Sequence, residues 1–504
     1  MKLVEPLLDW AVTTQRTTLT KHTKIVYFPV RWHAPSYPHL SAAMASMLRL
    51  LLVGAPLVTA LSPQISLPGG QGDVVGSCSD SECVWKGIPF GEDTSGANRF
   101  VAPVKRSPWS TPLNATADAP GCISIHHNPD TARVQSEDCL NLDVYAPATA
   151  TSASKLPVYV FLYGGSFTEG CNYGPFDMYS GTGFTRNDVI FVAPNYRLGA
   201  FAFLVTDKLT GNVGLLDQRL ALQWVQDNIA AFGGDPDRVT LGGESAGAMS
   251  VGYHLVSPGS WPYFNAAIME SNPSALLPRP NDRAELYGAD FCELLGCLSL
   301  FDGCSTECIQ KAPAANVSKA WSKAAGNDII YVLANWGHLL DGMLDFKPTV
   351  DGTILPNGSV AAVMADQWAR KPLLLGSNTA EGVAFLGSTN VNELEFVAAI
   401  ELLFAGKPQH LVDEVLLRFV QIFRFCSLSA HCADDQHPRS CLGFCCICSA
   451  CMLSCLGTCS YGPSGGFNGT LALSAVFTDY WFRCATEQFA NAAVRANQSA
   501  FVYR

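Results

Sequence analysis

A chain of 504 residues, 48% hydrophobic and 15% charged, is long enough to bury a large core, and α/β chains of this size often stay a single domain. The formal net charge of −11, with no basic stripe and no phosphate-cradling glycine loop, argues against nucleic acid as a partner.

Residues 1–43 carry no hydrophobic periodicity and are left unassigned. Met44-Ala45-Ser46-Met47-Leu48-Arg49 leads into the apolar run Leu50 to Ala60, where one basic residue, a short apolar core and the small Ala60 predict a secretory signal over 44–62. The run is too short for a membrane span and is broken by Gly54 and Pro56. Because a signal peptide begins at the amino terminus, translation is expected to start at Met44 or Met47, with residues 1–43 a mis-called extension. Residues 63–504 then form the folded domain.

Leu140 to Tyr145 alternates as a strand. Leu156-Pro157-Val158-Tyr159-Val160-Phe161-Leu162 is apolar without alternation, as expected of a strand buried on both faces of a parallel sheet, and it ends in Tyr163-Gly164-Gly165-Ser166-Phe167. Val189 to Arg197 reads as another buried strand. Between Leu215 and Phe232 the apolar positions 216, 220, 224, 225, 229 and 232 make a helical stripe, closed by Gly233-Gly234-Asp235-Pro236. Val239 to Leu241 predict a short buried strand and Ala248 onward a helix. Ala267 to Glu270 and Pro372 to Gly376 are further short strands. Buried strands alternating with amphipathic helices imply an α/β architecture, a parallel or mixed sheet covered on both faces. There is no internal repeat and no inter-domain linker.

The stretch from Arg238 to Ser250 carries the chemistry. Gly243-x-Ser245-x-Gly247 stands where a strand turns into a helix, a turn that forces its central residue into a strained conformation and pushes the side chain clear of the backbone. Glycines on both sides are needed because no side chain fits under the turn. The Ser245 hydroxyl then lies near a helix N-terminus, whose free N–H groups favour developing negative charge. An ordinary serine in a small-residue turn would share the five-residue pattern; the flanking sequence decides against it.

Gly211-Asn212-Val213-Gly214-Leu215-Leu216-Asp217-Gln218, then Ala221 to Ile229, then Phe232-Gly233-Gly234-Asp235-Pro236, leading into Gly243-Glu244-Ser245-Ala246-Gly247, closely resembles the type-B carboxylesterases, the cholinesterase-like branch of the α/β-hydrolases. The resemblance runs from about Gly87 to Arg504, apart from residues 420–460. It implies an α/β-hydrolase fold, with a mostly parallel central sheet covered by helices on both faces and incomplete at the C-terminus. It also implies a serine nucleophile, Ser245, with oxyanion donors from the backbone N–H groups of Gly165, Ser166 and Ala246. The family usually has glycine or alanine where Ser166 stands; a backbone donor tolerates the change, but the hydroxymethyl group narrows the pocket. Gly376 to Phe385 matches the family's acid loop and makes Glu381 the acid, and Glu244 matches a position that shapes the pocket's electrostatics. Arg99 with Glu137, and Arg197 with Asp217, are implied as structural salt bridges.

The family's histidine lies in a loop after the strand that Ala500-Phe501-Val502-Tyr503-Arg504 begins, and the sequence ends there. The later histidines, His410, His431 and His437, stand in no matching context, and His254 looks like a family core residue. The expectation is a chain truncated before its catalytic base, a loss on the order of a million-fold in turnover.

The resemblance implies disulfides Cys122–Cys139 and Cys297–Cys308, and hence an oxidising compartment. Cys78 with Cys83, and Cys292 with Cys304, are further candidate pairs, and Cys171 is expected as a thiol. Sequons at Asn114, Asn316, Asn357, Asn468 and Asn497 agree with secretion. Residues 420–460 form a cysteine-rich insertion with nothing in the family to match it. Cys448 and Cys451 have zinc-knuckle spacing, and Cys441 to Cys459 formally reach membrane-span length. A retained intron or similar gene-model error is the reading preferred, with no metal, no cofactor and no stable membrane span expected.

The loop between Cys122 and Cys139 has no tryptophan, which the cholinesterases it resembles place there to hold a quaternary ammonium, and is too short for the lid of the family's lipases. The expected substrate is a small or medium uncharged ester, processed by a secreted serine carboxylesterase. A non-catalytic secreted binding or adhesion protein on the same fold is the alternative, and oligomeric state is open.

Overall fold

The computed structural model describes residues 25–28, 63–125, 134–174, 178–274, 276–326, 346–386, 391–403, 412–413, 416 and 469–503. The expected signal segment, the insertion at 420–460 and the sequon at Asn468 lie outside them.

The core is a ten-stranded sheet. Its strands in chain order are β1 Ile25–Phe28, β2 Ser77–Cys78, β3 Glu82–Pro89, β4 Asn141–Pro147, β5 Leu156–Leu162, β6 Ile190–Pro194, β7 Gly234–Glu244, β8 Ala266–Glu270, β9 Leu373–Gly376 and β10 Ala500–Tyr503. In space they run β1-β10-β9-β8-β7-β5-β6-β4-β3-β2. From β1 to β6 every neighbour is parallel, and β4, β3 and β2 pair antiparallel at the other edge. The amino-terminal extension, for which no element is expected, contributes β1 beside β10.

The apolar runs lie where their composition requires. Val158 to Leu162 and all five residues of β6 are buried, with helices rather than water on both sides of the parallel strands. The alternation in β4 does not mark a solvated face: all seven residues are buried. Its polar members are buried because they are bonded, Asp143 Oδ1 accepting from the Gly87 amide at 2.8 Å and Asn141 Nδ2 donating to the Pro120 carbonyl at 2.9 Å. β7 is longer than expected, eleven residues, because Gly233, at φ 91°, ends the preceding turn and releases the chain directly into the sheet.

Helix α1, Val213–Asn228, buries Leu220, Trp224 and Val225 of the predicted stripe, leaves Leu216 only partly buried, and buries Asp217 and Gln218 on the same face; Ile229 and Phe232 are buried in the turn that follows. Asp217 accepts from Arg197 Nε at 2.8 Å and Nη2 at 2.7 Å, and Arg99 forks onto Glu137 through two bonds of 2.6 Å. Both implied salt bridges form, and both are buried. Helix α2, Ala246–Leu255, packs against β7 and β8, and helix α3, Cys484–Arg495, against β9 and β10.

Four disulfides close in the described chain: Cys78–Cys83, Cys122–Cys139, Cys292–Cys304 and Cys297–Cys308. They include both implied pairs and both further candidates, and Cys171 lies outside them as a thiol. Asn114, Asn316, Asn357 and Asn497 are exposed, as glycan acceptors require, with Asn316 in the first turn of the helix Ala314–Gly326. Among the described residues no helix is long and apolar enough to cross a membrane.

Candidate active site

The site is built at the carboxyl ends of the neighbouring strands β5, β7, β8 and β9, the end at which open α/β sheets place their sites. Ser245 sits between β7 and α2 with φ 55° and ψ −119°, a region that costs a non-glycine residue on the order of 1–3 kcal/mol. Tight packing on both flanks holds it there. A side chain on Gly247 would collide with the carbonyl of Leu162, and a Cβ on Gly243 would stand 2.5 Å from the Gly247 carbonyl carbon. The Ser245 amide donates to the Glu270 carbonyl at 3.0 Å and its carbonyl accepts from the Met249 amide at 2.9 Å. Ser245 itself is only half-buried.

The glycine loop after β5 reaches the same point. A Cβ on Gly164 would lie 3.0 Å from Cβ of Ser245 and 2.7 Å from Oε2 of Glu244. Gly165 has φ 110°, and its carbonyl accepts from the amides of Thr168 at 2.9 Å and Glu169 at 3.0 Å, folding the loop back. Ser166, exposed, and Phe167, buried, are both left-handed at φ 56° and 62°. Phe167 fixes the turn by packing edge-on to Phe203 and by accepting from the Gly199 amide at 2.7 Å. Beneath the loop, Tyr163 and Tyr196 stack at 4.4 Å and exchange hydroxyl-to-carbonyl bonds of 3.0 and 2.7 Å. Among the described residues the amides of Gly165 and Ser166 reach no acceptor, and Ala246 opens α2, where its N–H has no partner within the helix. These three donors are therefore available to a developing oxyanion.

Glu381 is 9% exposed in the loop after β9. Its Oε1 accepts from Ser271 Oγ at 2.6 Å, from the Asn378 amide at 2.6 Å and from Asn378 Nδ2 at 3.2 Å. Ser271 directly follows Glu270, whose carbonyl holds the Ser245 amide, so acid and serine are tied through one dipeptide. Glu244 lies beside them, and burial together with Glu270 and Glu381 pushes its carboxyl group up to about 7.

His254 is the one histidine among the described residues. It is buried, with Nδ1 2.8 Å from Ser260 Oγ and Nε2 2.9 Å from Gln218 Oε1. Because Arg219 Nε donates to Ser260 Oγ at 3.0 Å, the Ser260 proton is assigned toward Nδ1, and Nε2–H donates to Gln218. Burial, with Arg219 adding, lowers this imidazole to about 3. It is a neutral core residue, as the sequence predicts. His410, His431 and His437 lie outside the described residues.

Sequence reasoning brought together Ser245, Gly165, Ser166, Ala246, Glu244 and Glu381, and it missed Ser271, Asn378 and Glu270. Asn378 carried a signal, a short amide side chain three residues before the acid. Ser271 and Glu270 carried only their place at the carboxyl end of a buried strand.

A family model described as "Carboxylesterase family" matches residues 62–412. Crystal protein of Dictyostelium discoideum is 35% identical over 327 residues, covering 64% of this chain and 57% of that protein. Acetylcholinesterase 1 of Caenorhabditis elegans is 36% identical over 325 residues, covering 60% of this chain and 50% of its own length. The chain thus spans about half the length of the curated relatives it matches. Among solved structures, a PNB esterase aligns with TM-score 0.64 at 28% identity, covering 88% of this chain and 79% of that one. A Geobacillus stearothermophilus carboxylesterase at pH 6.2 aligns with TM-score 0.66 at 25% identity, covering the same shares.

Proposed function

The chain belongs to the carboxylesterase family, with an α/β-hydrolase fold, and we propose that it is a secreted serine esterase acting on small or medium uncharged carboxylic esters. One observation carries this reading: Ser245 is held at a strained elbow beside three unpartnered backbone donors and an acid fixed by three hydrogen bonds. The Ser245 hydroxyl attacks the ester carbonyl, and the donors of Gly165, Ser166 and Ala246 take the oxyanion. The alcohol leaves and water hydrolyses the acyl-serine. The step needs a base, for which the family resemblance implies a histidine, to take the hydroxyl proton and pass it to the leaving alcohol; Glu381 would orient that base and stabilise its protonated form. The acidic cluster of Glu244, Glu270 and Glu381, with no cation paired to it among the described residues, disfavours anionic substrates. Secretion is supported by the four disulfides, the exposed sequons and the signal-like segment at 44–62.

Among the described residues no histidine stands beside Ser245 or Glu381. The same observation favours a second reading, a secreted binding or adhesion protein on a hydrolase fold. Treatment with a fluorophosphonate followed by peptide mapping separates the two. An adduct confined to Ser245 supports the esterase; no adduct on folded protein supports the binding role.

A further inference from the structure

Glu244 and Glu270 end neighbouring parallel strands in direct register. Matched positions in parallel strands point to the same face of the sheet, and residues two apart share it. Thr240, Gly242 and Glu244 of β7 thus face the same way as Ile268 and Glu270 of β8, and Tyr159, in register with Thr240, joins them from β5. Gly242 lends its side-chain space to the tip of Tyr159, and Gly376 lends its space to the ring of Tyr503. The Tyr159 hydroxyl donates to Glu270 Oε1 at 3.4 Å. Glu381 approaches from the loop after β9.

Three carboxyl groups therefore meet behind the serine, and among the described residues no lysine, arginine or histidine pairs with any of them. They are not equally supported. Glu381 accepts three bonds, two of 2.6 Å and one of 3.2 Å, Glu270 accepts one long bond, and Glu244 accepts none from a described residue. The other groups facing them are phenols, Tyr159, Tyr179, Tyr196 and Tyr503, all pushed up by burial and so neutral, together with the thiol of Cys171 beside Tyr179. A buried carboxylate without donor or cation is costly, and two such groups side by side cannot both ionise cheaply.

We propose that Glu244 and Glu270 bind one proton between them at neutral pH, and that Glu270 is thereby the positioning residue that keeps the group beside Ser245 uncharged. Burial is the first cause raising both groups, and the neighbouring Glu270 and Glu381 add to it at Glu244, which is pushed up to about 7, so the proton favours Glu244. An uncharged Glu244 places no negative charge beside the alkoxide that Ser245 becomes; ionising it opposes attack. The role in attack rests on the reading of Ser245 as nucleophile, whereas the shared proton does not.

Difference infrared spectroscopy across pH 5 to 9 reads the protonated-carboxyl band directly, and fluorophosphonate labelling rate reads the consequence at Ser245. The wild type should lose one carboxyl band around neutral pH, with labelling slowing over the same range. Glu270→Gln keeps the Tyr159 bond and removes the like charge, and should move both transitions down by about one pH unit. Tyr159→Phe removes the donor to Glu270 and should move them up. Glu244→Gln should abolish the band. An unshifted band in Glu270→Gln, or shifts of the same sign in Glu270→Gln and Tyr159→Phe, overturns the inference. Band shifts as stated with no labelling at any pH overturn the reading of Ser245 and uphold the shared proton; labelling with an unshifted band overturns this inference alone.

Discussion

The Arg197–Asp217 pair supports the glycine loop from behind, since Arg197 lies between Tyr196, stacked on Tyr163, and Gly199, bonded to Phe167. The two side chains are 3% and 0% exposed. Asp217 accepts from Arg197 Nε at 2.8 Å, Nη2 at 2.7 Å and the backbone amide at 3.0 Å, while Nη1 finds no partner in the described protein. Removing one member leaves the other as an uncompensated buried charge, so Arg197→Met and Asp217→Leu should each cost about 3–5 kcal/mol. The double variant buries no charge and loses chiefly the acceptor for the Arg197 amide, a cost of about 1–3 kcal/mol. It should therefore be more stable than either single variant. Urea unfolding of disulfide-intact protein, followed through its ten tryptophans, gives all four corners of the cycle. Additive losses would refute the reasoning, because they would mean that the charges do not compensate one another.

Four other outcomes follow from the same structure. Replacing Cys122 and Cys139 by serine should cost about 3 kcal/mol in urea unfolding, the entropy of the sequence separation of 17 that the bridge closes. Ser166→Gly, at φ 56°, should stabilise the fold by roughly 0.5–1 kcal/mol in the same assay, because relief of the left-handed strain exceeds the added chain entropy. His254 is neutral when folded down to about 3 against 6.5 unfolded, so its contribution is present above pH 6.5 and is lost as pH falls toward 3. His254→Gln should flatten that acid limb of stability against pH. Glu244 has the opposite sign: its folded value of about 7 against 4.5 gives stability present below pH 4.5 and lost as pH rises through 7, so Glu244→Gln should unfold at higher urea than wild type at pH 8.

What the sequence discloses is what local chemistry dictates. The run from Leu156 to Leu162 has no polar residue to face water, and it lies in the middle of the sheet. The glycines around Ser245 announce a turn that tolerates no side chain, and the elbow forms there. β4 misleads because alternation in sequence records polarity, not exposure, and Asp143 and Asn141 bring their hydrogen bonds inside. Glu270 and Ser271 are silent for a related reason. Their importance comes from strand register, which sets Glu270 opposite Glu244 and Ser271 against Glu381, and register is a property of the assembled sheet.

The account turns on Ser245 being a reactive hydroxyl rather than a structural one. Fluorophosphonate labelling of the folded, disulfide-intact chain, with intact mass and peptide mapping against Ser245→Ala, measures that directly. The expected result is one adduct per chain, on Ser245, lost in Ser245→Ala and slowed in Glu381→Gln. Equal labelling of wild type and Ser245→Ala, or none in wild type, contradicts the account.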